Sequence, residues 1–412
     1  MKHYMNKSIE YIDRHKCEIV KFAQALVRIR TVNPPGENYE EIVGLLEDKC
    51  RSAGLKTKRV VVPCAELKKL GISGGSKRIS LIARWDTASK KTLHFNGHYD
   101  VVPVTSGWSR APFAGIIEDG RLYGRGAEDM KGTIAAMVCA VEAAKRAGAG
   151  PGVNVELSFT PDEEIGGASG LAYLVKNNFV HPDYAVSEGL DGDFVSCGNK
   201  GALWLEVDVL GESCHASTPY KGRNAFEGMA ELVRMLIKLR EGLSRRKTKF
   251  HTKDAKDKFA TLVLGGALSG GSKVNIVPDR ASFTIDRRIL PEERLDDAKG
   301  EILDIIRKFQ KKKIGLKVRV KVVMAEQAVV ANINSPLCRV MASSVAQVRG
   351  RPARLAIMPG ATDLRFLIRK GIPALGYNAA GLDRCHADDE FIYIKSLLDT
   401  TKVFALLIKN LR

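Results

Sequence analysis

His98 and Asp100 stand two apart, just where the strand-like run 92–95 gives out at Asn96-Gly97. Residues i and i+2 of an extended backbone share a face, so an imidazole and a carboxylate are set side by side. The pair fits a metal-ligating His whose second ring nitrogen donates to a carboxylate. It also fits an ordinary satisfied His beside a loop acid. Four more segments weigh on the choice. GRGAEDMKG carries Asp129, SFTPDEEIGG carries Asp162, Glu163 and Glu164, VSEG carries Glu188, and CHADDE carries His386. Carboxylates brought together repel and need a cation. Two His and three carboxylates form a mixed N/O donor set, which suits zinc, cobalt or manganese and disfavours calcium. If one carboxylate bridges two metals, each metal has one His, one terminal carboxylate and a share of the bridge, with a position open for water. Two metals ~3.5–4 Å apart acidify a shared water and polarise a carbonyl. One further carboxylate must carry the water's proton to a leaving amine. Adjacent Glu163 and Glu164 can supply one ligand and one base, and spacing alone does not say which.

These residues need elements to bring them together. Helical apolar spacing runs over 8–32 and stops at Asn33-Pro34-Pro35-Gly36, and a second helix, about 38–53, ends at Gly54. Strand-like runs follow at 57–62, 79–84 and 92–96, with a hairpin turn at Glu118-Asp119-Gly120. A buried Ala-rich helix is expected at 130–147, a strand at 153–159, a helix near 168–178 and a strand at 183–187. Alternating strands and helices indicate an α/β sheet with helices on both faces, and ligands bind such sheets at the C-terminal ends of the strands. His98, Asp129, Glu163, Glu164, Glu188 and His386 all fall just beyond such ends or in adjoining loops.

Near residue 200 the pattern changes. Leu203, Leu205, Val207 and Val209 alternate as in a half-buried strand. A helix (224–240), a basic loop, strands near 261–265 and 281–286, a helix (292–312) and a strand (316–324) follow, a β-α-β-β-α-β order of ferredoxin-like type. After about 327 the α/β pattern returns, with helices 335–348, 362–370 and 394–410 and strands 353–357 and 373–377. The expected fold is an α/β domain with a mixed, mostly parallel sheet, made of 1–200 and 327–412 and interrupted by an inserted α+β domain at 201–326.

Composition narrows the function. The chain has 412 residues, too many for one ordinary core, and 45% are hydrophobic, which excludes disorder. No apolar run approaches the ~20 residues of a membrane span, and the charged N-terminus MKHYMNKSIEYIDRHK has no signal-peptide core. Eight scattered Cys with no C-x-x-C pair fit reduced thiols in a cytoplasm. Cys214 and Cys385 each precede a His, but a buried or incidental thiol is the simpler reading of both. Net charge +18 admits nucleic acid or anionic substrates as partners. The charge is spread out, however, with local excesses only around 240–258 and at 307–313, and no zinc finger or RNP-type motif accompanies it.

In combination the motifs resemble the dinuclear zinc aminoacylase/carboxypeptidase G family, which includes acetylornithine deacetylase and succinyl-diaminopimelate desuccinylase. GHYDVVP, GRGAEDMKG, PDEEIGG, HASTPYKGRNA, NIVPDRASFTIDRR and CHADDE all fall in family order across nearly the whole chain. The resemblance implies that His98, Asp129 and Glu188 hold one metal, and that Asp129, Glu164 and His386 hold the other. It implies Glu163 as general acid/base, Asp100 as the residue orienting His98, and a cis peptide after Asp129. The inserted domain is then a lid and often a homodimer surface. His215 would reach an active site to hold an oxyanion, and Asn275 and Arg288 would contact a substrate carboxylate. The Gly-rich loop MPGATD offers N–H groups from Gly360 to Thr362 to a carboxylate, or is a plain N-cap at Thr362 or Asp363. The implied activity is hydrolysis of an N-acyl amino acid by two divalent metals, zinc first. N-succinyl-diaminopimelate leads the substrates, with Lys200 as a cation for the succinyl group, and N-acetylornithine is second. A dipeptidase or carboxypeptidase is the neighbouring reading. The distant readings are a silent ligand-binding protein, disfavoured because all five ligands and Glu163 are present, and a nucleic-acid-binding protein, whose binding would fall steeply with salt.

Overall fold

The computed structural model describes residues 7–148 and 150–412, so the first six residues of the N-terminal stretch lie outside it. Packing divides the described chain into two units. The first takes the residues up to Cys197, then Ala331–Ala356 and Thr362–Arg412; the second takes Gly198–Val330 and Ile357–Ala361.

The first unit is built on a mixed sheet. Four parallel strands occupy its middle, in the order Asn154–Thr160, Thr92–His98, Tyr184–Asp191 and Ala374–Asn378. Antiparallel strands flank them, Ile79–Trp85 and Lys56–Val61 on one side and Phe194–Asn199 on the other. The parallel run sends four C-terminal ends to one edge. In Thr92–His98, Leu93, Phe95 and Gly97 alternate with His94, Asn96 and His98, and every residue is buried. The apolar face lies on helix Gly132–Arg146, so closely that a Cβ on Gly97 would fall 2.7 Å from Ile134 Cγ1. That helix packs in turn on Ile394–Asn410 and on the N-terminal helices.

The polar face is buried as well, so its groups need partners. His94 Nδ1 lies 2.8 Å from Glu156 Oε1 and Nε2 2.9 Å from Ser158 Oγ. Asn96 Nδ2 donates to Ser158 Oγ and Thr160 Oγ1, and Ser187 Oγ donates to Asn96 Oδ1. A slip of one residue would turn every one of these groups onto the apolar helix, so the network fixes the register that ends at His98. Beyond this face, helices Leu171–Lys176 and Leu364–Ile368 share a core of Leu171, Leu174, Val180, Leu364 and Leu367.

The second unit is a four-stranded antiparallel sheet, ordered Thr261–Gly270, Arg280–Ile289, Gly201–Leu210, Lys317–Glu326. With helices Ala225–Leu243 and Leu295–Lys312 this is the ferredoxin-like arrangement. Leu203, Leu205, Val207 and Val209 face Leu232, Leu236, Ile302, Ile306 and Phe309 in one core. The basic stretch 240–258 is anchored, with Arg246 paired to Glu293 and Glu301 and Thr248 Oγ1 donating to Glu292.

Several expectations need correction. The helix expected over 8–32 is two helices, Lys7–Arg14 and Lys16–Arg28, broken at His15 and ended well before the prolines. Helix 362–370 shortens to Leu364–Ile368, and its cap residue Asp363 makes no side-chain capping bond. Residues 357–361, expected in the first domain, pack with the second unit. Glu188 lies within strand Tyr184–Asp191 and not beyond its end. Among the described residues, no helix is long and apolar enough to cross a membrane.

Strands Tyr184–Asp191 and Ala374–Asn378 approach so closely beside Glu188 that a Cβ on Gly376 would fall 2.1 Å from Glu188 O. Gly376→Ala is therefore expected to cost about 1–3 kcal/mol of unfolding free energy, measured by urea denaturation. Gly300→Ala, on a helix with nothing within 4 Å, is the control and should leave stability unchanged or raise it. An unaltered midpoint for Gly376→Ala would show that the strands have room.

Candidate active site

Asp129 stands between two imidazoles. Its Oδ1 lies 3.0 Å from His98 Nε2, and its Oδ2 lies 3.3 Å from His386 Nε2. Each imidazole has one further acid. His98 Nε2 is 3.0 Å from Glu188 Oε2, and His386 Nε2 is 3.2 Å from Glu164 Oε2. Two triads therefore meet at one carboxylate, His98–Asp129–Glu188 and His386–Asp129–Glu164. Glu163 belongs to the same cluster, since its carboxylate, the His98 ring and Glu188 bring donor atoms within 4.8 Å of one another. Parallel strands account for His98 and Glu188, and loops that leave strand ends account for Glu163, Glu164 and His386. Asp129 comes from an irregular turn, 127–131, ahead of the Ala-rich helix, and its bond to Met130 is cis.

Buried groups hold these side chains in place. Asp100 accepts the N–H groups of Glu163 (3.1 Å) and Glu164 (3.2 Å) and the Asn33 amide (3.0 Å). Its carboxylate is 3.6 Å from His98 Nδ1, too far for a hydrogen bond, while its main-chain oxygen is 3.1 Å from the same nitrogen. Asp100 thus steers His98 through its carbonyl and positions the acidic turn through its carboxylate. Asp162, at φ 65 just before that turn, accepts from Asn33, Tyr39 and Arg78 and from the Ser169 hydroxyl. On the other side, Arg125 pairs with Glu390 at 2.7 Å, and both are buried. Glu390 accepts the N–H groups of Glu128 and Asp129, while Arg125 donates to the carbonyls of His386 and Ala387. One ion pair therefore ties the Asp129 turn to the His386 loop. Asn33, Tyr39, Arg78, Arg125 and Glu390 were not singled out from sequence. Arg125 and Glu390 lie inside or beside quoted motifs, but nothing local pairs them.

The sequence model for "Peptidase family M20/M25/M40" matches residues 94–410. The chain belongs to this family. It is 28% identical over 426 residues to an uncharacterized metallohydrolase of Methanocaldococcus jannaschii, covering 95% of this chain and 99% of that one. It is 30% identical to the aminoacylase-1 of Sus scrofa (87% and 86% covered) and 28% identical to the succinyl-diaminopimelate desuccinylase of Methylobacterium radiotolerans (93% and 94%). Three solved structures share the fold. One is an M20 metallo-carboxypeptidase of Sulfolobus solfataricus (TM-score 0.75, 22% identity, 95% and 98% covered). The others are human carnosine dipeptidase 1 (0.77, 19%, 98% and 98%) and a dinuclear metal-binding M20 peptidase of Bacillus subtilis (0.69, 13%, 96% and 98%). As a member of M20/M25/M40 the chain is a metal-dependent amidohydrolase.

Negative charge is concentrated at this M20 site. Asp129, Glu163, Glu164 and Glu188 converge on two imidazoles. Burial, with the neighbouring Glu188, pushes Glu163 well above the usual carboxylate range. Burial raises Glu164 to about 7 and raises Glu188 as well. Burial opposes a charge on His98, yet the nearby carboxylates of Asp100, Asp129 and Glu188 raise it well above the ordinary value. Bonds to Asp129 and Glu164 carry His386 to about 10. Burial also works against the Asp129 charge, but the two imidazoles outweigh it and hold Asp129 low. Protons here occupy places that suit divalent cations, because neutral imidazole and carboxylate oxygen are the donors such ions take.

The remaining sequence-derived residues divide between the two units. His215, Asn275, Arg288 and Gly360 belong to the second unit, and Thr362 is buried in the first. His215 and Asn275 are neighbours, with Ala216 N–H donating to Asn275 O at 3.0 Å, and His215 Nδ1 meets the Ser217 hydroxyl. Arg288 pairs with Asp286 at 2.9 Å and has side-chain exposure of 27%, whereas Arg287 is buried on Glu293, which makes it the structural one of the two. Lys200 does not serve as a substrate cation here, because it is 2% exposed and its ammonium donates to Phe259 O.

The pKa shifts set a pH dependence. The raised imidazoles add stability that is whole below about 6.5, and it is lost as pH climbs through about 10 for His386. Glu164, raised from 4.5 to about 7, acts in the same sense, since the folded chain keeps its proton longer. With chelator, the thermal midpoint should therefore fall from about pH 6 to about pH 9, and saturating zinc should remove most of that fall. Parallel pH curves with and without zinc would contradict this.

Proposed function

We propose that the chain hydrolyses the amide bond of an N-acyl amino acid with two zinc ions, held by His98–Asp129–Glu188 and by His386–Asp129–Glu164. One observation carries the reading: Asp129 offers a different oxygen to each of two imidazoles, and each imidazole has its own second carboxylate. When bound, such ions supply Lewis acidity for the scissile carbonyl and acidify water. The residues do the rest. Glu163, buried and inclined to hold a proton, takes one from water and returns it to the leaving nitrogen. Asp100 keeps the Glu163–Glu164 turn and His98 in register for this transfer.

Similarity to aminoacylase-1 and to a succinyl-diaminopimelate desuccinylase supports the deacylase reading. N-succinyl-diaminopimelate and N-acetylornithine are the first compounds to offer, though burial of Lys200 removes one support for the succinyl group. His215, Asn275, Arg288, Gly360 and Thr362 are assigned to substrate binding on motif position. A homodimer through the second unit is assigned on the same ground. A dipeptidase is the second reading, supported by relatedness within M20/M25/M40.

The test is amine release by zinc-loaded protein, with N-succinyl-diaminopimelate, N-acetylornithine, other N-acyl amino acids and dipeptides offered in parallel. One acyl amino acid should turn over, and Glu163→Gln should lower kcat by about 10²–10⁴ with both metals kept. Turnover of dipeptides alone would favour the second reading. Full activity in Glu163→Gln would remove Glu163 from the mechanism.

A further inference from the structure

Behind Glu163 lies a charged pair that the reaction as drawn does not use. Arg365 is 3% exposed and stacks on the Phe366 ring at 4.2 Å. Its Nη2 donates to Gly166 O at 2.7 Å, while its Nη1 lies 3.9 Å from Glu163 Oε1 and 3.8 Å from Asp363 Oδ1. Asp363 is 1% exposed, and neither of its carboxylate oxygens has a hydrogen-bond partner.

We propose that Arg365, held back by Asp363, is the positioning residue that aims the Glu163 carboxylate. The inference rests on Glu163 being the proton carrier. The turn Glu163–Ile165 is pinned at its start by Asp100, which accepts two of its N–H groups, and at its end by Arg365, which holds the Gly166 carbonyl. With the main chain fixed at both ends, the direction of the Glu163 side chain is set by the charges around it. Arg365 supplies a positive charge there without closing on the acid. A close, forked guanidinium–carboxylate pair would occupy the lone pairs that a proton carrier must offer. Contacts of 3.8–3.9 Å attract but are too long for hydrogen bonds. Asp363 supplies the counter-pull. A buried carboxylate with no hydrogen bond is costly to keep, and this one draws Arg365 away from Glu163 and so holds the gap open. Asp363→Asn removes that pull at nearly constant shape and lets Arg365 close on Glu163.

The experiment compares Arg365→Met, Arg365→Lys, Asp363→Asn, the Asp363→Asn/Arg365→Met pair and Glu163→Gln as zinc-loaded proteins. It reads kcat, KM, bound metal, and the affinity of the product amino acid by calorimetry. Arg365→Met should lose roughly 10- to 100-fold in kcat, the scale of a misplaced reacting group. KM should stay within about twofold, because the loss falls on the reacting geometry and not on ground-state binding. Two metals and unchanged product affinity are expected. Asp363→Asn should also lower kcat, and the pair should be no worse than Arg365→Met alone, since the two residues act through one contact. Arg365→Lys should recover part of the loss. Should Arg365→Met not fold, Arg365→Lys and Asp363→Asn decide, and wild-type kcat in both overturns the inference. So does a loss that appears in KM or product affinity alone, or one that tracks lost metal. Full activity in Glu163→Gln would instead overturn the reading of Glu163, whatever the Arg365 variants do.

Discussion

Four carboxylates are crowded around two imidazoles in a largely buried site, and the rest of the first unit is arranged around that charge. Asp129, Glu163, Glu164 and Glu188 would repel one another if ionised together. Raised proton affinity of the imidazoles answers part of this, and raised proton affinity of Glu163, Glu164 and Glu188 answers another part. Strongly shifted titratable groups clustered in this way are the mark of a functional site. Divalent cations relieve the repulsion and free the same groups for acid–base work.

Holding repelling groups together requires support from behind, and two devices supply it. On one side Asp100 and Asp162 form a buried pair of acids bridged by Asn33, with Arg78 and Tyr39 closing the far end. On the other side the Arg125–Glu390 pair joins two segments far apart in sequence, one carrying Asp129 and the other His386. A buried ion pair of this kind adds little net stability, but loss of one partner is expensive. Its use here is to fix the spacing of the two triads, whose shared member sits on an irregular turn with no helix or strand of its own. The sheet contributes in the same way. The polar face running from His94 through Asn96 to His98 is fully paired, so strand register and the position of His98 are one decision.

The triads were legible in the sequence because parallel strands convert position in the chain into position in space. His98, Glu164, Glu188 and His386 lie on or after strands of the parallel run and Asp129 precedes the Ala-rich helix, and a doubly covered sheet brings those segments together. Choosing between Glu163 and Glu164 needed the family pattern, since two adjacent acids are equivalent until the turn is built. The supporting residues were not legible. Arg78 meets Asp162, and Arg125 meets Glu390, only after distant segments dock, and no local spacing announces such a pair. Strand Phe194–Asn199 was missed because Ser196, Gly198 and Asn199 break the apolar alternation, although the strand is mostly buried. Lys200 reads as a substrate cation until burial ties it to a carbonyl, and Arg365 was not singled out, because Gly166 and Glu163 come up against it only in the folded chain.

The most direct measurement is anomalous diffraction from zinc-grown crystals, collected on either side of the zinc absorption edge. Two peaks are expected, one among His98, Asp129 and Glu188 and one among His386, Asp129 and Glu164, with Asp129 between them. A single peak, or peaks that do not share Asp129, would contradict the dinuclear assignment on which the mechanism stands.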